Sequence, residues 1–216
     1  MKIGILGGTF NPPHLGHLRL AEEVSEVFGL SKIIFVPCHQ PPHKTETNIS
    51  SSIDRFNMTA LACEGNEKFE VSDMELKFPA PSYTVNTLRH LKSKTTDELY
   101  FIMGSDSLSE IGTWKDFENL FSLANYIIVE RPGLKFQKAW ESMPVTLQEQ
   151  FTPTGSQFIH SNKMLLIPSN ITGLNISSTH IRKLLRQGLT ARYLTPEPVL
   201  DYIREKNLYS VQGSNR

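Results

Sequence analysis

The chain has 216 residues with 22 basic and 22 acidic side chains, so no net field draws it to nucleic acid or to an anionic membrane, and any recognition of phosphate has to be local. That length supports a single α/β domain with a sizeable core. The two cysteines, Cys38 and Cys63, form no CxxC pair, which points to a reducing compartment and away from structural zinc. No signal segment is recognisable and no apolar run approaches the ~20 residues of a membrane span, so the chain reads as cytoplasmic.

Lys2 to Leu6 is a short apolar run closed by Gly7-Gly8, the pattern of a strand buried on both faces of a parallel sheet. Leu15 to Phe28 has helical periodicity, with Leu18, Ala21, Val24 and Phe28 on one face and Gly29 as the stop. Ile33 to Val36 is a second buried strand and completes a βαβ unit. A polar, proline-rich loop spans Pro37 to Asn48. Ser51 to Glu64 returns to helix, with Ile53, Phe56, Ala60 and Cys63 expected to face inward. Phe69 to Ser72 is a short strand, Ser82 to Leu91 a helix burying Val85, Leu88 and Leu91, and Leu99 to Met103 a fourth strand that ends in Gly104-Ser105-Asp106. Helical segments at Ser107 to Ile111 and Trp114 to Leu123 lead to a fifth strand, Tyr126 to Glu130. Leu134 to Lys163 fits the alternation least: a helix from Phe136 through Trp140 toward Phe151 is interrupted by Pro144, Pro153 and Gly155, and reads as an elaboration on the domain. Met164 to Ile167 is a last strand, followed by short helices at Ser178 to Arg186 and Glu197 to Lys206.

Such alternation implies a doubly wound parallel sheet, Rossmann-like over residues 1–170, with a small C-terminal helical part over 171–210, all in one domain. Ligands of such sheets bind outside the carboxyl ends of the strands. Gly7 to His17, Pro37 to Lys44, Gly104 to Asp106 and Arg131 to Gly133 each follow a strand and should meet on one rim.

The first of these carries the densest chemistry. Gly7 and Gly8 permit close approach of a ligand to the backbone, yet the stretch is neither a GxGxxG fingerprint nor a GxxxxGK[ST] phosphate loop. Instead His14 and His17 stand three apart at the start of a helix, whose amides and dipole favour an anion. A zinc pair and two incidental turn histidines are the alternatives. Near the other end, Asn175-Ile176-Ser177-Ser178-Thr179-His180-Ile181-Arg182 opens a helix with hydroxyls at its cap. Ser178 and Arg182, four apart, can reach one ligand, although Ser177 or Ser178 also suits a plain N-cap.

Gly7-Gly8-Thr9-Phe10-Asn11-Pro12-Pro13-His14-Leu15-Gly16-His17 resembles the N-terminal signature of the nucleotidyltransferase superfamily, with His14 to His17 as its [HT]xGH motif, and Ile176 to Arg182 resembles its ISSTxxR motif. Pro42-His43-Lys44, Pro81 to Thr87, Gly104 to Leu108, Trp114-Lys115 and Glu130 to Gly133 extend the likeness to the nicotinate-nucleotide adenylyltransferases. Asn11 and Asn86 depart from it, standing where those proteins often have aspartate.

The resemblance implies attack of a mononucleotide phosphate on the α-phosphorus of ATP, with release of pyrophosphate. In that reading His17 donates to the α-phosphate with His14 beside it, Lys44 bridges phosphates of both substrates, Ser178, Thr179 and Arg182 hold the β- and γ-phosphates, and Ser177 belongs with them to the ATP site. Gly7, Gly8, Thr9, Phe10, Gly16, Gly104, Asp106 and Arg131 belong to the ATP side. Asp106 serves equally well as a helix N-cap. Trp114, with Tyr83 and Thr84, would receive the pyridine, although a core role is ordinary for a tryptophan. Mg²⁺ would ride on the ATP phosphates, no nucleic acid or membrane partner is expected, and a homo-oligomer is left open. Rival readings are transfer to nicotinamide mononucleotide or phosphopantetheine, cytidylyl transfer, and a non-catalytic ATP-binding module.

Overall fold

The computed structural model describes residues 1–42, 49–130 and 133–210. Lys44 and Arg131, both expected at the site, lie outside the described residues. Among the described residues one sheet of eight strands runs in the order β3-β2-β1-β4-β5-β8-β7-β6. Its strands are β1 (Lys2–Gly8), β2 (Lys32–Pro37), β3 (Phe69–Val71), β4 (Glu98–Gly104), β5 (Asn125–Val129), β6 (Phe151–Thr154), β7 (Gln157–His160) and β8 (Leu165–Ser169). From β3 to β8 the pairing is parallel, as the alternation of elements requires, and β7 and β6 then add on antiparallel.

The helices are α1 (Leu15–Phe28), α2 (Ser52–Cys63), α3 (Thr84–Lys94), α4 (Ser105–Ser109), α5 (Phe117–Leu120), α6 (Phe136–Glu141), α7 (Val145–Gln148), α8 (Ser178–Arg186) and α9 (Glu197–Glu205). Helix α1 stops at Gly29, which takes the left-handed conformation (φ 62°) that glycine reaches without strain. At Gly4 the packing leaves little room for a side chain: a Cβ there would stand 2.4 Å from Ile33 Cδ1 and 2.9 Å from Leu30 Cδ1, so both side chains would have to shift. One core cluster joins Ile5, Leu88, Leu99 and Tyr126 with the α4 to α7 segment on one face of the sheet, and a second joins Val24, Ile33, Phe35 and Ile127 on the other. The C-terminal helices build clusters of their own: Val199 and Ile203 of α9 against Met58 and Ala62 of α2, and Ile181 of α8 with Ala191 and Leu200.

Two expectations need correction. Residues 134–163 form two short helices and a hairpin, rather than one interrupted helix. Pro144 starts α7, and Gly155 at φ 62° supplies the turn between β6 and β7. The segment earns its place by aromatic packing: Trp140 stacks on Phe158 with ring centroids 4.4 Å apart, and Phe121 meets Phe151 edge-on at 5.2 Å. Helix α2 is rotated from its expected face. Ile53 is 64% exposed and Phe56 and Ala60 are only partly buried, while Arg55, Met58, Thr59 and Ala62 are buried together with Cys63, the one residue of the expected stripe that faces fully inward. The cause is Arg55, whose guanidinium donates to Ser50 O at 3.0 Å, Thr9 O at 2.9 Å and His39 O at 2.8 Å. Thr9 and His39 follow the ends of β1 and β2 and Ser50 leads into α2, so a buried cation ties α2 to the rim on which the site stands.

Replacing Arg55 by methionine fills the space but leaves three acceptors without this donor. The expected loss is roughly 2–5 kcal/mol of unfolding free energy, measured by urea denaturation. A loss below about 1 kcal/mol, within the range of an ordinary surface change, would remove Arg55 from this role.

Candidate active site

Strand β1 delivers Gly7 and Gly8 to the carboxyl end of the sheet, where the chain turns through Phe10 at φ 46°. A left-handed phenylalanine is uncommon. Here the ring is 2% exposed, packs in the core and meets the His17 ring edge-on with centroids 5.1 Å apart. A Cβ on Gly8 would come within 3.0 Å of that ring. His14 caps α1, and its N–H donates to His17 Nδ1 at 3.1 Å. A ring nitrogen that accepts carries no proton, so neutral His17 has its proton on Nε2 and presents a donor there. The two imidazoles stack with centroids 3.6 Å apart. Gly16 makes this arrangement fit, since a Cβ at that position would be 3.0 Å from His14 Nδ1.

Ser177 is the N-cap of α8, accepting from His180 N–H at 3.2 Å. Ser178 and Arg182 do converge as their spacing suggests, and here they converge on protein. Ser178 Oγ donates to Pro12 O at 2.8 Å, and Arg182 Nη1 donates to Asn11 O at 2.9 Å, with Nη2 3.5 Å from Thr179 Oγ1. Thr195 Oγ1 completes the series by donating to Pro13 O at 2.7 Å. Arg182 is only 6% exposed. The ISSTxxR segment therefore stands directly behind the turn that leads into the histidines.

Beside this turn lies a cavity of about 300 Å³, lined by Gly7, Gly8, Thr9, Tyr83, Thr84 and Trp114 among others. Tyr83 caps α3 and Thr84 opens it, so the Thr84 N–H is among those a helix leaves without an intrahelical acceptor. Trp114 is half-buried and edge-on to Phe101 at 6.4 Å. Lys115 lies on the same wall, its Nζ 4.4 Å from the centre of the Tyr83 ring. Gly104 and Asp106 stand at the end of the neighbouring strand β4. Asp106 sits inside the first turn of α4, whose N-cap is Gly104.

Glu75 was not legible as a site residue in the sequence. It lines the same cavity from a 3-10 turn at Met74–Lys77, is 6% exposed, and accepts from Thr87 Oγ1 of α3. Burial pushes its carboxyl above the ordinary range, against the opposing pull of bonds from Ser82 and Thr87 and of the Arg55 charge. Nothing in the run Asp73-Met74-Glu75-Leu76 distinguishes it from a solvated loop acid. Among the described residues, no three His, Cys, Asp or Glu side chains come together as metal ligands, and no helix is long and apolar enough to cross a membrane.

A parallel sheet ending in a glycine turn, with the hydrogen-bond donors of two motifs gathered at its rim, has the makings of a nucleotidyl-transfer enzyme. The chain belongs to the cytidylyltransferase-like family, which matches residues 5–184 and so includes both motifs. At finer grain it is similar along nearly its whole length to proteins named probable nicotinate-nucleotide adenylyltransferase. It is 42% identical to the one from Desulfatibacillum aliphaticivorans, over 97% of this chain and 100% of that relative. It is 43% identical to the one from Syntrophotalea carbinolica, over 98% of this chain and 99% of the relative. Plasmodium falciparum nicotinic acid mononucleotide adenylyltransferase complexed with NaAD shares the fold, with a TM-score of 0.72 and 23% identity over 96% of this chain and 97% of that one.

The raised Glu75 carboxyl has a consequence for pH. A carboxyl whose folded pKa lies above its unfolded value binds more protons in the native state, so the stability it contributes falls as pH rises from the ordinary 4.5 toward the folded value. Glu75→Gln keeps an acceptor for Thr87 and removes the titration. Relative to the parent, it should gain stability as pH is raised from 4 to about 8, followed by thermal unfolding across that range. A difference that is flat or falls with pH would contradict the burial argument.

Proposed function

We propose that the chain joins nicotinate mononucleotide to ATP, giving deamido-NAD and pyrophosphate, in the cytoplasm. The observation that carries this reading is the adjacency of an aromatic-walled cavity at Trp114, Tyr83 and Thr84 to the glycine turn that leads to His17. One holds a flat acceptor and the other meets phosphate. The names of the full-length relatives support the same substrates.

The nucleophile in this reaction is a phosphate, already an anion near neutral pH, and needs no general base. Catalysis consists of aligning two mutually repelling phosphates and neutralising the charge that accumulates on the α-phosphoryl group and on pyrophosphate. The donor set suits that task. His17 Nε2–H serves the α-phosphate as charge develops, with His14 stacked beside it on the triphosphate. Gly7, Gly8 and Thr9 let the backbone come close, with Gly104 and Asp106 toward the ribose and Arg131 on the ATP side. Thr179, Ser177, Ser178 and Arg182 serve the β- and γ-phosphates, with the bonds of Ser178 to Pro12 O and of Arg182 to Asn11 O kept in place. Lys44 spans the phosphates of both substrates. Mg²⁺ would be held mainly by the phosphate oxygens of ATP and by water, which fits a site whose donors are imidazole, hydroxyl and guanidinium.

On the acceptor side, the pyridine stacks on Trp114, and its carboxylate takes the N–H groups at the start of α3. The deciding experiment is pyrophosphate release from ATP with nicotinate mononucleotide, nicotinamide mononucleotide and phosphopantetheine in parallel. Preferred turnover with the first is expected. Preference for either of the others, or ATP binding without turnover, would replace this reading.

His17→Ala should lower kcat by about 100-fold or more, the cost of one transition-state donor, with KM values nearly unchanged. A kcat within a few-fold of the parent would refute the role. Trp114→Ala should raise KM for the mononucleotide about tenfold, the loss of a stacking contact of roughly 1.4 kcal/mol, and leave KM for ATP as it was. Equal increases in both would place Trp114 elsewhere.

A further inference from the structure

After α9 the chain turns back to the site. The helix ends with Asn207 in the left-handed region at φ 51° and with Leu208 N–H donating to Ile203 O at 3.0 Å, an ordinary helix stop. Tyr209 is not ordinary. Its φ of 63° is an outlier for an aromatic residue and persists only where the surroundings over-determine it. That turn brings its hydroxyl to 4.0 Å from Met58 Sδ and lets it donate to Asn11 Oδ1 at 2.6 Å. The same Asn11 Oδ1 accepts from Ser50 N–H at 3.2 Å, while Asn11 O takes the Arg182 guanidinium at 2.9 Å. Asn11 is 2% exposed and immediately precedes Pro12, Pro13 and His14. Burial pushes the Tyr209 phenol up to about 12, so the hydroxyl keeps its proton and remains a donor at neutral and mildly alkaline pH.

We propose that Tyr209 is a positioning residue for nucleotidyl transfer, its hydroxyl acting through Asn11 to fix the turn that aims His14 and His17. The proposal rests on the nucleotidyl-transfer reading of the site. It extends the reaction machinery to a residue 192 positions beyond His17 in the chain, counted as 209 less 17. It also separates two contributions of the same side chain. The ring packs beside Met58 and supports the fold, whereas the hydroxyl serves the turn.

Tyr209→Phe keeps the ring and deletes the hydroxyl. The expected result is a kcat lowered about tenfold, the scale of a small misplacement of reacting groups, with KM for both substrates and the melting temperature near parent values. Asn11→Ala should lower kcat in the same manner, and the double variant should lose no more than the worse single one, because both act through one bond. A Tyr209→Phe enzyme with parental kcat, a loss of activity matched by a loss of melting temperature, or additive losses in the double variant would each overturn the proposal. A readout independent of turnover is the His17 imidazole resonance in the proton NMR spectrum of the full chain, assigned with His17→Gln. Tyr209→Phe should shift it, and an unmoved resonance also overturns the proposal. If the parent enzyme releases no pyrophosphate with any acceptor, the functional reading fails, and the NMR comparison still decides whether Tyr209 positions His17.

Discussion

Three consecutive backbone carbonyls hold this molecule's site together. Asn11, Pro12 and Pro13 offer acceptors to Arg182, Ser178 and Thr195, all from the last forty residues of the chain. The two prolines lack N–H groups, so the segment has little to contribute to a strand or helix ladder. Its buried acceptors still require donors. Side chains far away in sequence supply them, and the guanidinium of Arg55 does the same for Thr9 and His39. The turn ahead of the histidines is thus shaped by long-range bonds rather than by local propensity. A cation placed on carbonyls in the interior is strongly hydrogen-bonded, and displacing it strands both partners.

That constraint gives the site its rigidity. A reaction between two phosphates gains most from donors already in place when charge appears, since donors that must reorganise give back part of their stabilisation. The His14 N–H bond to His17 Nδ1 sets the tautomer, Gly16 gives the His14 ring room, and the edge of Phe10 limits how far His17 can swing. The aromatic wall of the cavity comes from other elements, the start of α3 and the segment after α4, and faces the glycine turn at Gly7, Gly8 and Thr9.

Much of this was visible in the sequence, for reasons particular to each element. Helix α1 runs from Leu15 to Phe28 as its apolar period and Gly29 indicate, and the strand–helix alternation gave the parallel sheet. The spacing of Ser178 and Arg182 puts them on one side of α8, but spacing says nothing of the acceptor, and the acceptors here are Pro12 and Asn11. Arg55 and Glu75 carry no signal in the sequence because charged residues on a helix or loop are usually solvated. Only the meeting of β1, β2 and α2 makes a buried arginine necessary, and drawing it inward rotates α2 and exposes Ile53. The hairpin from Phe151 to His160 is hidden by its proline and glycine, which break a helical pattern as readily as they mark a turn.

That hairpin has a bearing on how the protein behaves in a crowded solution. An open parallel sheet ends in rows of backbone groups that can recruit a strand from another molecule. Here one margin is β3, only three residues long, and the other is β6, four residues that include Pro153 and are solvated from Thr152 onward. A proline offers no N–H to an incoming strand, and three residues make a poor template. The late addition to the fold thus works as a selvage, finishing the sheet so that it does not ravel into its neighbours.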